Sequence, residues 1–237
     1  MASAGALPAR RPLAGVRGRL RAGRLPCRSS PPGRTSPGRL GSCMHLKARI
    51  ADRDRKDRNG KGRSMKTNAV IENILDRRSV RAFTEEPVSR EDLEAVVTCG
   101  QWAPSAMNRQ EWCFVVVDDA GKIARLAETM RVVLGRDAYD MYRPAAIVLV
   151  GHVKGASFGR EDDGCAMQAM MLAAHSLGLG SVWINQLQGI CDEPAVRTEL
   201  DALGLPGDHE VHGICALGHA AAPGKAHERT SQVVWAD

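Results

Sequence analysis

Four short β-branched or aromatic runs alternate with helical periodicities between Asn68 and Asp237, and strands separated by helices predict a mixed α/β or α+β domain. The composition agrees. A chain of 237 residues with 43% hydrophobic and 25% charged side chains can bury one or two real cores. No stretch approaches the roughly 18 consecutive apolar residues of a membrane helix; the nearest, Ala166 to Leu179, is interrupted by Gln168, His175 and Ser176. A soluble protein is expected.

The elements follow in order. Ile71, Ile74 and Leu75 recur at helical spacing between Asn68 and Arg77, predicting a short first helix that ends on a basic pair. After Pro87, Ser89-Arg90-Glu91-Asp92 is a capping box whose hydroxyl and carboxylate satisfy orphan N–H groups, with Leu93, Val96, Val97 and Gly100 along one face of the helix it opens. Trp112 to Val117 predicts a core strand, closed by the turn Asp118-Asp119-Ala120-Gly121. Helical spacing returns over 122–134 through Ile123, Leu126, Ala127, Met130 and Val133, and Ala145 to Gly151 predicts a second buried strand. Asp162 to Leu177 reads as a long helix, apolar nearly all round, and such a helix must be covered on every side, which predicts a second subunit. Gly178-Leu179-Gly180 ends it. Ser181 to Ile184 is a strand, Asp192 to Leu203 a helix capped by Asp192, and His212 to Leu217 the last strand.

Charge divides the chain in two. Residues 1–64 hold 17 Lys and Arg against 3 Asp and Glu, a net of +14, whereas residues 65–237 hold 16 against 24, a net of −8. The first segment is rich in Arg, Pro and Gly without period and is expected to be a disordered extension. Three readings fit it: a nucleic-acid arm, a transit peptide, or a stretch upstream of the working start at Met65. The prolines and glycines oppose an amphipathic transit helix, so the third is favoured, with residues 65–237 as the working domain. The acidic body opposes a nucleic-acid partner. Seven cysteines, an odd number with no CxxC spacing, point to a reducing compartment, and a cytoplasmic location is expected.

Arg77-Arg78-Ser79-Val80-Arg81 is either a solvated helix end or an anion clamp, since guanidiniums fork around phosphate oxygens and the serine adds a donor. Ala103-Pro104-Ser105-Ala106-Met107-Asn108-Arg109-Gln110-Glu111-Trp112 is a polar loop leading into a core strand. These two blocks, followed in the same order by Leu177-Gly178-Leu179-Gly180-Ser181-Val182-Trp183-Ile184, resemble the FMN-dependent nitroreductase family over essentially residues 68–237. The resemblance implies an α+β fold with a central, mixed but mainly antiparallel sheet flanked by helices, in an intertwined homodimer with the flavin site at the subunit interface. It implies that Arg77, Arg78, Ser79 and Arg81 grip the FMN phosphate, ribityl chain and pyrimidine edge, and that Pro104, Ser105 and Asn108 lie over the flavin ring of the partner subunit. By the same resemblance Ile184, Asn185 and Gln186 turn backbone N–H groups toward flavin N5 and O4, and a basic residue, Lys225 or Arg229, completes the phosphate site. One departure is Glu111, where the family has proline.

The implied activity is an oxidoreductase that takes hydride from transiently bound NAD(P)H and passes two electrons to a nitroaromatic, quinone or similar small acceptor. The chemistry then belongs to flavin N5 and no catalytic side chain is required. A lid within residues 122–143 is expected to set acceptor choice. Two alternatives are a specialised flavin enzyme of the same fold, such as a reductive dehalogenase or a flavin-fragmenting enzyme, and a nucleic-acid-binding protein acting through residues 1–64. Neither a dinucleotide-binding G-x-G-x-x-G nor a P-loop occurs. A metal is not expected: His209 and His212, three apart in a predicted strand, fall on opposite faces. Cys99 and Cys165 are expected as small core residues.

Overall fold

Strand pairing decides between the two fold classes. The computed structural model describes residues 66–236, and its strands are β1 (Trp112–Val117), β2 (Ala146–Val153), β3 (Gly180–Ile184) and β4 (His209–Gly218). They form one sheet in the order β1-β2-β4-β3 with every neighbour antiparallel. A single parallel bridge, Ser79 to Ser181, makes the β3 edge mixed. This is the α+β arrangement. Residues 1–64, expected to be a disordered extension, and the expected start at Met65 lie outside the described residues.

Helices cover both faces. They are α1 (Ala69–Asp76), α2 (Arg90–Gln101), α3 (Ala120–Val133), α4 (Gly159–Ser176) and α5 (Pro194–Ala202). On one face Ile123, Leu126 and Met130 of α3 and Val196 and Leu200 of α5 pack against Ile147, Leu149, Ile214 and Ile184. On the other, Leu93 and Val96 of α2 and Ala166, Met167 and Met170 of α4 pack against Val148, Val150 and Cys215. Because side chains alternate along a strand, the two central strands must be apolar on both sides, and β2 is buried through seven of its eight residues.

Local signals explain most boundaries. Asn68 Oδ1 accepts the Ile71 N–H at the start of α1, Ser89 Oγ accepts the Asp92 N–H at the start of α2, and Asp119 Oδ1 accepts the Lys122 N–H at the start of α3. Several expectations need correction. β1 is an edge strand, with only Val115 and Val117 buried. α4 begins at Gly159, before the predicted Asp162, and α5 begins at Pro194 with Glu193 at the N-cap position making no side-chain bond to it, while Asp192 instead takes the Lys154 ammonium at 2.6 Å. Cys99 and Cys165 are exposed. The helical period places Cys165 in a stripe with Glu161 and Gln168 that faces away from the sheet. α4 therefore has a polar side after all, and the sheet, α2 and α1 cover the rest, so its composition does not by itself demand a second subunit. Residues 122–133 of the expected lid segment 122–143 belong to α3, which packs on the core through Ile123, Leu126, Ala127 and Met130.

Candidate active site

The helix α4 organises the predicted residues, because they lie at its two ends. At its C-terminal end the chain leaves α1 at Arg77 and runs beside β3, where the Val80 N–H donates to the Ser181 carbonyl at 2.9 Å. The segment after β4 returns across the same place: the Thr84 N–H donates to His219 O, and the Ala221 N–H to Ala82 O. Gly224 then lies flat on this run. A Cβ there would stand 2.5 Å from Arg78 Cβ and 2.7 Å from Ser79 O, so only glycine lets the two segments approach.

The two leading arginines have different roles. Arg78 Nη1 donates to the Leu75 and Arg77 carbonyls at 2.6 and 2.9 Å, closing the end of α1. Arg77 is half-buried and its Nη1 is buried without a hydrogen-bond partner; Ser181 Oγ is in the same condition. Burial pushes the Arg77 pKa below its ordinary value, and the like charges of Arg78 and Arg229 push it the same way, while Cys215 opposes them weakly. His175, in the last turn of α4, is lowered by burial and by Arg77 and Arg78, with Asp76 opposing. Buried donors without acceptors are costly, and a cluster of like charges more so, unless a ligand satisfies them. A phosphate would do so: it is anionic, accepts several bonds at once, and matches guanidinium geometry. The residues present fit the phosphate end of FMN. Arg229 is a charge that bears on Arg77, and Lys225 is not among those recorded; both are exposed, as is Arg81.

At the N-terminal end of α4 lies the loop Pro104–Gln110. Met107, Asn108 and Gln110 all hold positive φ, near +54°, a conformation costing non-glycine residues of order 1 kcal/mol each. The loop is fixed by Ser105 Oγ accepting the Gln110 N–H at 3.1 Å, by Gln110 Nε2 donating to Asn108 Oδ1 at 2.8 Å, and by Asp162 Oδ1 accepting the Ala106 N–H at 2.9 Å. Beside it, buried Asp163 receives His152 Nδ1 at 3.1 Å and His212 Nδ1 at 2.7 Å. The Asp163 hydrogen bond raises the His212 pKa above its ordinary value. His209 pairs with Asp208 instead, so the two histidines serve different partners.

From Asp162 to His175 is about 20 Å along the helix at 1.5 Å per residue. The structure thus brings Arg77, Arg78, Ser79 and Arg229 together and leaves Pro104, Ser105 and Asn108 at the far end. Ile184, Asn185 and Gln186 end β3 on the side away from Ser181; the Asn185 N–H donates to Gln186 Oε1 at 3.1 Å, which also faces the Tyr139 hydroxyl at 3.4 Å. Between the two ends, the half-exposed Trp183 indole lies over Gly213, where a Cβ would stand 2.8 Å from its Nε1, and reaches Gly164 of α4. His175, Ser181 and Asp162 were not picked out from the sequence. Ser181 sat inside a recognised block, whereas Asp162 is tied to the loop only across 56 positions.

The model of the Nitroreductase family matches residues 74–219, which spans more than half of the chain. The chain belongs to the Nitroreductase family. Among relatives of known description, an FMN reductase (NAD(P)H) of Bacillus subtilis is 30% identical over 65% of this chain and 67% of its own length. An NADPH-flavin oxidoreductase of Vibrio harveyi is 34% identical over 64% and 66%. A crystal structure of a nitroreductase with bound FMN from Bacteroides fragilis superposes with a TM-score of 0.68 at 34% identity, covering 72% of this chain and all of that one. Among the described residues no helix is long and apolar enough to cross a membrane.

Proposed function

We propose that this nitroreductase-family chain is an NAD(P)H-dependent FMN oxidoreductase that reduces small acceptors such as nitroaromatics and quinones. The observation that carries the reading is the pair of buried, unpartnered donors, Arg77 Nη1 and Ser181 Oγ, with the like charges of Arg78 and Arg229 bearing on Arg77. When bound, FMN supplies the two-electron chemistry between NAD(P)H and acceptor. Arg77 and Ser181, with Ser79 and Arg229 beside them and the exposed Arg81 two residues on from Ser79, hold the phosphate, ribityl chain and pyrimidine edge. Arg78 shapes the cradle by closing α1. Ile184, Asn185 and Gln186 present backbone toward the flavin N5 edge, which requires the Gln186 side chain to release the Asn185 N–H.

The same reading makes the enzyme a homodimer. Pro104, Ser105 and Asn108 stand too far along α4 from Arg77 to cover the same flavin with ease, so they serve the partner's site. The uncovered apolar surface supports this: Val70, Ile74 and Leu75 leave α1 without a buried residue, and Trp102 and Trp235 are 85% and 79% exposed. An open groove of 720 Å³ between α2 and β1, lined by Trp102, Asn108, Gln110 and Trp112, lies beside the loop. All five cysteines of the described residues are free, which supports a cytoplasmic location. The working domain is residues 65–237.

The test is spectroscopic. The purified chain should be yellow or take up added FMN stoichiometrically, anaerobic NAD(P)H should bleach the flavin bands, and a nitroaromatic or quinone should restore them. A colourless protein that ignores added FMN would sink the reading.

A further inference from the structure

We propose that Asp162 is the positioning residue for the flavin-covering loop, and that the buried His152–Asp163–His212 group exists to hold Asp162 in place. The inference rests on the FMN reading above. Asp162 belongs to the first turn of α4 and is buried, yet its recorded side-chain bond leaves the helix altogether: Oδ1 accepts the Ala106 N–H at 2.9 Å. Ala106 opens the short 3-10 turn Ala106–Asn108, whose preceding residue, Ser105, makes no capping bond to it. Asp162 thus caps that turn from 56 positions away, a role normally filled by the residue just before the helix.

The loop needs such an anchor. Three of its residues hold left-handed backbone without being glycine, and strained backbone of this kind persists only where its surroundings fix it. The other hydrogen bonds of the loop, in which Ser105 Oγ accepts the Gln110 N–H, Ser105 O the Asn108 N–H, Ala106 O the Arg109 N–H and Asn108 Oδ1 the Gln110 Nε2, are internal to it and would travel with it. Asp162 is the recorded hydrogen bond that ties its turn to the rest of the protein. The anchor is itself fixed, because the next residue, Asp163, is fully buried and pinned through both carboxylate oxygens to His152 on β2 and His212 on β4. Two consecutive carboxylates therefore divide the work: Asp163 fastens the first turn of α4 to the sheet, and Asp162 fastens the loop to that turn.

The decisive comparison is Asp162→Ala against Asp162→Asn in the full chain. Asparagine keeps an acceptor oxygen at the same reach, and alanine does not. Alanine should weaken FMN about tenfold in a fluorescence titration and raise the acceptor KM several-fold, with asparagine restoring most of both. In the FMN-free protein, trypsin should cut after Arg109 faster in the alanine variant than in wild type or the asparagine variant. A heterodimer of an Arg77→Ala chain with an Asp162→Ala chain should regain one tight flavin site, since the undamaged loop and undamaged arginine then meet across the interface. Wild-type FMN affinity and wild-type cleavage at Arg109 in the alanine variant would overturn the proposal while leaving the FMN reading intact. Equal losses in both variants, accompanied by a matching fall in melting temperature, would reduce Asp162 to a fold residue and overturn it too. If wild type itself binds no FMN, the flavin reading fails first.

Discussion

The two ends of α4 are built on opposite rules. At its N-terminal end the buried polar atoms are paired: Asp163 meets two histidines and Asp162 meets a backbone amide. At its C-terminal end Arg77 and Ser181 keep buried polar atoms without a partner, and Arg78 and Arg229 add like charge beside Arg77. Folding accounts for the Asp163 pairs of the first end, where Asp162 also anchors the loop. The second is costly in the isolated chain and becomes favourable only with an anionic ligand in place. The Asp163 pairs are scaffold and the unpaired end is a binding site, so substitutions of Asp163 and of Arg77 should fail in different assays.

The largest effect is expected at the paired end. Asp163→Ala strands His152 and His212 in the core, so the FMN-free protein should lose about 3 kcal/mol, on the order of 10 °C in melting temperature. A loss below about 1 kcal/mol would mean that this end is not scaffold. Arg77→Ala should do the reverse, weakening FMN by about 1.5–3 kcal/mol, or roughly ten- to a hundredfold, while the FMN-free melting temperature stays within a few degrees. Flavin retained stoichiometrically through dilute gel filtration by Arg77→Ala would erase the contrast. A smaller effect sharpens the cationic end. Arg229→Ala should cost about fivefold in FMN affinity and Lys225→Ala close to nothing, since of the two it is Arg229 whose charge bears on Arg77; equal losses would spread the site along the tail.

The smallest effect concerns pH. The folded pKa of His212 is raised, chiefly by Asp163, with Glu210 adding and burial and Arg160 opposing. Its charged form therefore contributes stability that is complete below the unfolded value of about 6.5 and is lost as pH rises through the folded value. His212→Asn should show a flatter dependence of unfolding free energy on pH across that window. Identical slopes would mean that the Asp163 pairing does not depend on charge.

What could be read in the sequence was whatever is encoded locally. The strand Trp112–Val117 matches residue for residue, because an unbroken β-branched and aromatic run bounded by Asp118-Asp119 leaves little choice. Ser89 and Asn68 announced their helices through capping chemistry that spans three residues. The Arg77–Arg81 cluster was visible as a run of charge. What escaped was set by tertiary contact. The start of α4 at Gly159 is fixed by packing against His152, where a Cβ would stand 2.9 Å from the ring, and nothing in Gly159-Arg160-Glu161 shows helical patterning. The exposure of Cys99 and Cys165 depends on which neighbours cover each face. Ser181 looked like any strand residue until the Ser79 bridge enclosed it. The split between Arg77 and Arg78, alike in sequence, comes from which of them can reach the α1 carbonyls.

The indole of Trp183 sits one residue before the end of β3, two residues from Ser181 on one side and two from Asn185 on the other, or about 7 Å each way. It is held flat because Gly213 and Gly164 offer no side chain to lift it. That makes it a built-in optical probe. Its ultraviolet emission overlaps the absorption of an oxidised flavin, so energy transfer from a fixed donor this near should darken it as cofactor arrives and leave it dark in proportion to occupancy. Trp102, Trp112 and Trp235 emit as well, so the share of Trp183 is the part of the flavin-dependent quenching that Trp183→Phe removes.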